Sequence, residues 1–257
     1  MRLPPLVFLI ALSLHADPIP VKQVQGAVQG FLVVRDVHGR PVGTGNFQQT
    51  SRGALVTSRI VYTFNDGSVD EETTVFTQNR VFHVISDHHI QRGPFFAKPV
   101  DVAFETATRN VTTRNPDKST TKEIEKDIPT DVANGITGIV LQNVSPKVSP
   151  FELPMIAPDP KARLIKMKIS PEAEGAFTVA GVAHKATIFD IHLDLGGVAG
   201  VIAPMIGKQP SDVRVWIAPG NAPVFVREVT QLSEGGPVVS IELAGTHFEP
   251  VEPTTGK

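Results

Sequence analysis

At 257 residues, with 24 Lys and Arg against 26 Asp and Glu and a formal charge of -2, the chain can bury a sizeable core. It has no basic cluster longer than a residue or two, which excludes the electrostatic footprint of a nucleic-acid or anionic-membrane binder. It also has no cysteine, so neither disulfides nor a lipidated cysteine can contribute and stability has to come from packing.

Met1 to Ala16 reads as a secretory signal, with Arg2 in the positive region, an apolar run from Leu6 to Leu14, and Ala16 as the small residue before the cut. The mature chain is therefore expected in the periplasm or outside the cell. No later run reaches the roughly 20 apolar residues that a membrane helix needs.

From residue 27 to 126 the dominant period is two, broken by turn residues at about 12-residue intervals, as in an antiparallel meander. The expected strands are Ala27 to Arg35, Val42 to Gln49, Ala54 to Phe64, Val69 to Thr77, Val81 to Ile90 and Val100 to Thr108. Asn65-Asp66-Gly67-Ser68 is the strongest turn signal, because Asp and Gly tolerate the positive φ of tight hairpins. The polar stretch Thr108 to Lys126 fits an exposed hairpin with a charged edge.

Thr130 or Asp131 can cap a helix over 131–143, where Val132, Ile136, Ile139 and Val140 recur at helical spacing. A proline-rich connector, Pro146 to Pro160, then leads to a second β block over 162–245. That block holds Arg163 to Ser170, Ala176 to Ala180, His184 to Leu195, a short helix Gly196 to Ile206, and three closing strands. Residues 247–257 read as a flexible Pro/Thr-rich tail. With no βαβ alternation, the expected fold class is mainly β (α+β): one domain over 17–250, a long curved antiparallel sheet or half-barrel with one or two helices on its concave face.

The densest polar stretch is DHHIQRGPFF, Asp87 to Phe96. On a regular strand His83, Asp87 and His89 share one face and His88 the other. Imidazole and carboxylate are donors for zinc or a similar metal. His83 and His89 are nevertheless roughly 20 Å apart at about 3.3 Å per residue, so they converge only if the strand bends. A second constellation, Asp190, His192 and Asp194, lies on one face of a later strand and reads chiefly as a solvated sheet face. A metal site from Asp87, His89, Asp190 and His192, joined by His88 in a metal-dependent hydrolase, is the alternative; no nucleophile elbow, HExxH or phosphate loop accompanies it. The stretch reads chiefly as a strand end: Gly93-Pro94 breaks the ladder, since proline has no N–H for it, and Phe95 and Phe96 return to the core.

Gly67 to Phe96 and Leu193 to Gly245, with the GKxP, VWI, APxFVR and GGPV series of the latter, resemble uncharacterised secreted β-rich proteins of acidobacterial type. More distantly, the order of elements resembles the periplasmic lipoprotein-carrier superfamily. That resemblance implies a sheet whose apolar inner face is covered by helices that shift to admit an acyl chain, and it brings no catalytic residues. The leading expectation is an exported, non-enzymatic protein without cofactor that binds an apolar small molecule, a lipid or a lipidated partner. Asp87, His88, His89, Arg92, Phe95 and Phe96 would lie at the mouth of its site. A structural envelope protein without a ligand is the remaining expectation.

Overall fold

The computed structural model describes residues 19–115, 120–159, 161–179, 182–196 and 210–244. Its strands are β1 (Val28–Arg35), β2 (Pro41–Arg52), β3 (Leu55–Phe64), β4 (Val69–Asn79), β5 (Val81–Arg92), β6 (Val100–Glu105), β7 (Asn110–Asn115) and β8 (Thr120–Glu125). After the helix α1 (Thr137–Asn143) come β9 (Phe151–Ile156), β10 (Leu164–Val179), β11 (Val182–Asp194), β12 (Val213–Ala218), β13 (Val224–Gln231) and β14 (Val238–Ala244).

All of them belong to one antiparallel 14-stranded sheet in the order β8-β7-β6-β5-β4-β3-β2-β1-β14-β13-β12-β11-β10-β9. Each half is a plain meander. The first and last strands then pair with each other, Leu32 opposite Leu243 and Val34 opposite Ile241. The sheet is thus a ring of hairpins, open only between β8 and β9, which are consecutive in sequence. Strand alternation puts Leu32, Val56, Phe76, Val102, Ile169, Phe189 and Ile241 on the inner face of the curl, where they are buried.

The chain between β8 and β9 turns into this interior. Ile128, Val132, Ile136, Ile139, Val140 and Leu141 are buried in one apolar cluster with side chains of β3 to β7 on one wing and β9 to β12 on the other. At ~25 cal/mol per Å² of apolar surface removed from water, this plug is a principal source of stabilisation for a chain without cross-links.

The expected helix 131–143 is shorter, because Gly135 takes φ +63 and breaks the helical path, so the regular helix spans seven residues. A Cβ on Gly135 would overlap Thr74 Oγ1 and come 3.2 Å from Asp87 Oδ1, so the plug backbone touches the sheet directly here. Neighbouring Asn134 is buried and acts as a surrogate strand: its Nδ2 donates to Ile156 O and its Oδ1 accepts from Ile156 N, both at 2.8 Å. Ala133 N donates to Pro154 O at 3.0 Å. The β9 edge is thereby satisfied by the plug. Asn143 Oδ1 likewise holds the backbone N–H groups of Lys22 and Gln23 at 2.7 and 2.6 Å.

Two expectations in the second block change. The connector Pro146 to Pro160 contains β9; its Pro154 is tolerated because β9 is an edge strand, where a missing N–H breaks no ladder. The two segments around Pro171 form one strand, β10, with a register shift between Pro171 and Glu174 that absorbs the proline. The expected signal, the helix over 196–206 and the tail fall wholly or almost wholly outside the described residues.

Gly135→Ala is expected to lower stability by about 3 kcal/mol, combining left-handed strain with overpacking against Thr74. Gly53→Ala, at φ +61 but with nothing within 4 Å of its would-be Cβ, carries only the strain, about 1–2 kcal/mol. Urea unfolding of both variants separates the two contributions, and equal losses would mean that the plug does not seat on Thr74.

Candidate functional site

Asp87 to Phe96 divides between two neighbouring features, an inner polar stripe and a groove at the rim. The division starts at a β-bulge. Val75 faces Ser86 but Phe76 faces Val84, so Ile85 is the extra residue and the side-chain parity of β5 switches there. Phe82 and Val84 point inward before it, Asp87, His89 and Gln91 after it. His83 is therefore on the outside, with Nδ1 3.1 Å from Thr130 O. The face shared by His83, Asp87 and His89, expected for a regular strand, does not exist.

The stripe is built by facing pairs on β4 and β5: Asp70 opposite Gln91, Glu72 opposite His89, Thr74 opposite Asp87. His89 Nε2 donates to Asp70 Oδ1 at 2.7 Å, Gln91 Nε2 to Asp70 Oδ2 at 2.8 Å, and Thr74 Oγ1 to Asp87 Oδ1 at 2.7 Å. From the other wing Glu228 of β13 comes close enough to feel Glu72 and Asp70. Burial pushes the Glu72 carboxyl up to about 8, with the Asp87 and Asp70 charges adding and His89 opposing. Burial raises Asp87 to about 6 against the Thr74 hydrogen bond and the His89 charge. Burial also raises Glu228 to about 7 against its Thr230 hydrogen bond, helped by Glu72 and Asp70. For His89, burial acts downward but is outweighed by Asp70, with its charge and hydrogen bond, and by the Glu72 and Asp87 charges, which hold the imidazole at about 9. Tyr62, in the same interior, is raised well above its ordinary value by burial and by the Glu228, Asp70 and Glu72 charges.

The groove lies where β5 ends and β6 begins. It has a volume of about 480 Å³, is partly open to solvent, and is lined by Gln91, Arg92, Phe96, Pro99, Val100 and Asp101 among others. Its far wall is closely packed. Gly93, at φ +103, packs where any Cβ would collide with Ser68, and Phe95 N donates to Ser68 Oγ at 2.8 Å. Phe95 stacks on Phe64 at 4.0 Å between ring centroids, and Phe96 meets Phe64 edge-on at 5.6 Å.

Of the residues expected at a ligand mouth, Arg92 and Phe96 line the groove and Phe95 supports it. Asp87 and His89 belong to the stripe. His88 points outward, its Nε2 3.0 Å from Asp101 Oδ1, and so sits behind the groove wall. Asp190 and His192 lie on the outer face of β11, where Asp190 accepts from Arg214 Nε at 3.3 Å and His192 Nδ1 is 2.7 Å from Asp212 Oδ1. The set Asp87, His89, Asp190 and His192 is thus split between opposite faces of the sheet. Among the described residues no three His, Cys, Asp or Glu are placed to hold a metal ion. Sequence reasoning missed Gln91, Pro99, Val100 and Asp101, and Asp70, Glu72 and Glu228 of the stripe. The alternation of Asp70, Glu72 and Thr74 along β4 was a usable signal for the stripe; nothing local marked Glu228.

No family model matches the chain, and no curated protein does. Among solved structures it is similar to a beta-barrel-like protein of the domain of unknown function DUF1849 from Brucella abortus. The identity is 8%, covering 86% of this chain and 98% of that one, with a TM-score of 0.45.

The stripe makes stability pH-dependent in a defined direction. Glu72, Asp87, Glu228 and His89 all have folded values raised above their ordinary ones, so the folded state binds more protons than the unfolded state between roughly pH 4 and 9. Their contribution is greatest at the acid end and is lost as pH rises through the folded values. The midpoint of thermal unfolding is expected to be highest near pH 5 and to fall steadily to pH 9, with a shallower slope in Glu72→Gln. A midpoint that rises across this range would contradict the stripe as described.

Proposed function

We propose that this is an exported binding protein of the cell envelope that performs no chemistry on its ligand, and that the ligand lodges at the rim groove with its apolar part against Phe96, Pro99 and Val100. The observation that carries this reading is the pre-formed groove, whose wall is fixed by the Phe64, Phe95 and Phe96 rings and by the Ser68 hydrogen bond before any ligand arrives. An acyl chain beneath a movable helix, as the carrier likeness implies, finds less support. The concave face is filled by the plug, and the plug is bound to the sheet through Asn134 and Asn143. The hydrolase alternative is not favoured, since its residues lie on opposite faces.

Titration with the neutral apolar dye Nile red, read by fluorescence, tests the reading. Saturable binding is expected for wild type and its loss in Pro99→Trp, which fills the groove from a partly exposed position and leaves the melting temperature nearly unchanged. Native mass spectrometry of protein taken from its own envelope should show a bound small molecule that the variant lacks. Dye binding that persists unchanged in Pro99→Trp would place the ligand elsewhere.

A further inference from the structure

The end of the curl opposite the rim groove, where β4 turns into β5 and β12 into β13, is crossed by residues 19–27. In this segment Ile19, Val21, Gln23 and Gln25 are half-buried and Pro20, Lys22 and Val24 exposed, the alternation of an extended chain, yet its pairing with the sheet is an isolated bridge between Pro20 and Val81. What holds it is its own main chain, gripped by side-chain amides. Gln78 takes Gln25 by both backbone groups, its Oε1 accepting from Gln25 N at 2.6 Å and its Nε2 donating to Gln25 O at 2.9 Å. Gln49 Nε2 donates to Gly26 O at 2.9 Å, and Asn143 Oδ1, at the end of α1, accepts from Lys22 N and Gln23 N. Gln49, Gln78 and Asn143 are themselves buried. Val21 N donates to Arg80 O at 2.7 Å, and Gln23 Nε2 to Asn221 O, in the β12–β13 turn, at 2.9 Å.

The segment thus ties β2 and β4 on one wing to the β12–β13 turn on the other, with the end of the plug between them. We propose that it is a latch: residues 19–27 lift off as a unit while the sheet stays folded, and so open a second way into the apolar interior, at the end opposite the groove. Two features set its stability below that of the sheet. Its apolar anchorage is Ile19 and Val21, which are only partly buried against the main cluster, while Val24 at its crest is 76% exposed. Separate amide clamps also take the place of the continuous ladder that holds a sheet strand, and water can replace each of them once the segment lifts. The hinge is Gly26-Ala27, just before β1: both residues are exposed, and a Cβ on Gly26 would meet nothing within 4 Å.

Amide hydrogen exchange of the folded protein, resolved residue by residue by NMR, tests it. The N–H groups of Val21, Lys22, Gln23 and Gln25 are expected to share one level of protection, about a hundredfold or more below that of the β3–β4 ladder. In Gln78→Ala all four lose about tenfold together, although the substitution removes bonds to Gln25 alone. A lock supplies the converse. Pro20 and Val81 face each other across their bridge, and the chain has no other cysteine, so Pro20→Cys with Val81→Cys forms a single disulfide. Oxidation of that pair is expected to bring the four amides to within about tenfold of the ladder, and reduction to release them again. This comparison is made within one variant and stands whether or not Gln78→Ala folds. Protection of the four equal to that of the ladder in wild type would mean that the segment leaves only on global unfolding. That result, a loss in Gln78→Ala confined to Gln25, or an oxidised pair that leaves the four amides unchanged would overturn the latch.

Discussion

The pairing of β1 with β14 is the constraint on which the rest depends. It joins residues about 200 positions apart, with Phe31 to Arg35 set against Ala244 to Ser240, and it turns two independent meanders into one curled sheet with an inside. Loop-closure entropy for so distant a pair has to be met by burial, and Leu32, Val34, Val239 and Ile241 supply it in a cluster completed by Tyr62, Phe64 and Phe96. Arg35 and Arg227 on the outer face both reach Glu242 and so lace β1, β13 and β14 together. Exposed pairs of this kind add little energy, and they help to specify register.

Once the curl exists, its interior has to be filled, and among the described residues the connection between its two open edges fills most of it, with Ile19 and Val21 packed alongside. That segment does two jobs: its apolar residues bridge the wings, and its polar ones replace a missing strand at β9. β8 needs no such cover, since Lys122, Glu123 and Glu125 make it a charged edge that resists pairing. The plug approaches β4 and β5 at the stripe, where Gly135 packs on Thr74 beside Asp87. Packing and protonation therefore meet at Asp87, because the contact that seats the plug also covers its carboxyl.

The rim groove is connected to the stripe through Gln91, whose amide donates inward to Asp70. This gives the two features a shared element. The groove therefore lies over a region whose charge depends on pH, while its apolar wall does not.

The sequence by itself determined the fold class and most strand boundaries, because period-two alternation and turn residues such as Asp66-Gly67 act locally and need no partner to be read. It also determined the role of Gly93-Pro94 as the end of β5, since a residue without an N–H cannot continue a ladder. It did not determine which side of β5 the histidines take, because the bulge at Ile85 depends on pairing with β4 and reverses parity without any mark in the sequence. Nor did it reveal β9, whose proline is acceptable only at an edge, a property of the finished sheet order. Whether Asp70, Glu72 and Glu228 meet was decided by tertiary structure alone, through the closure of β1 on β14 that carries β13 across the interior towards β4. The distinction between Asp87–His89, buried and proton-binding, and Asp190–His192, paired with Arg214 and Asp212 in solvent, has the same origin: identical residue types differ in chemistry because curling the sheet dehydrates only one of its faces.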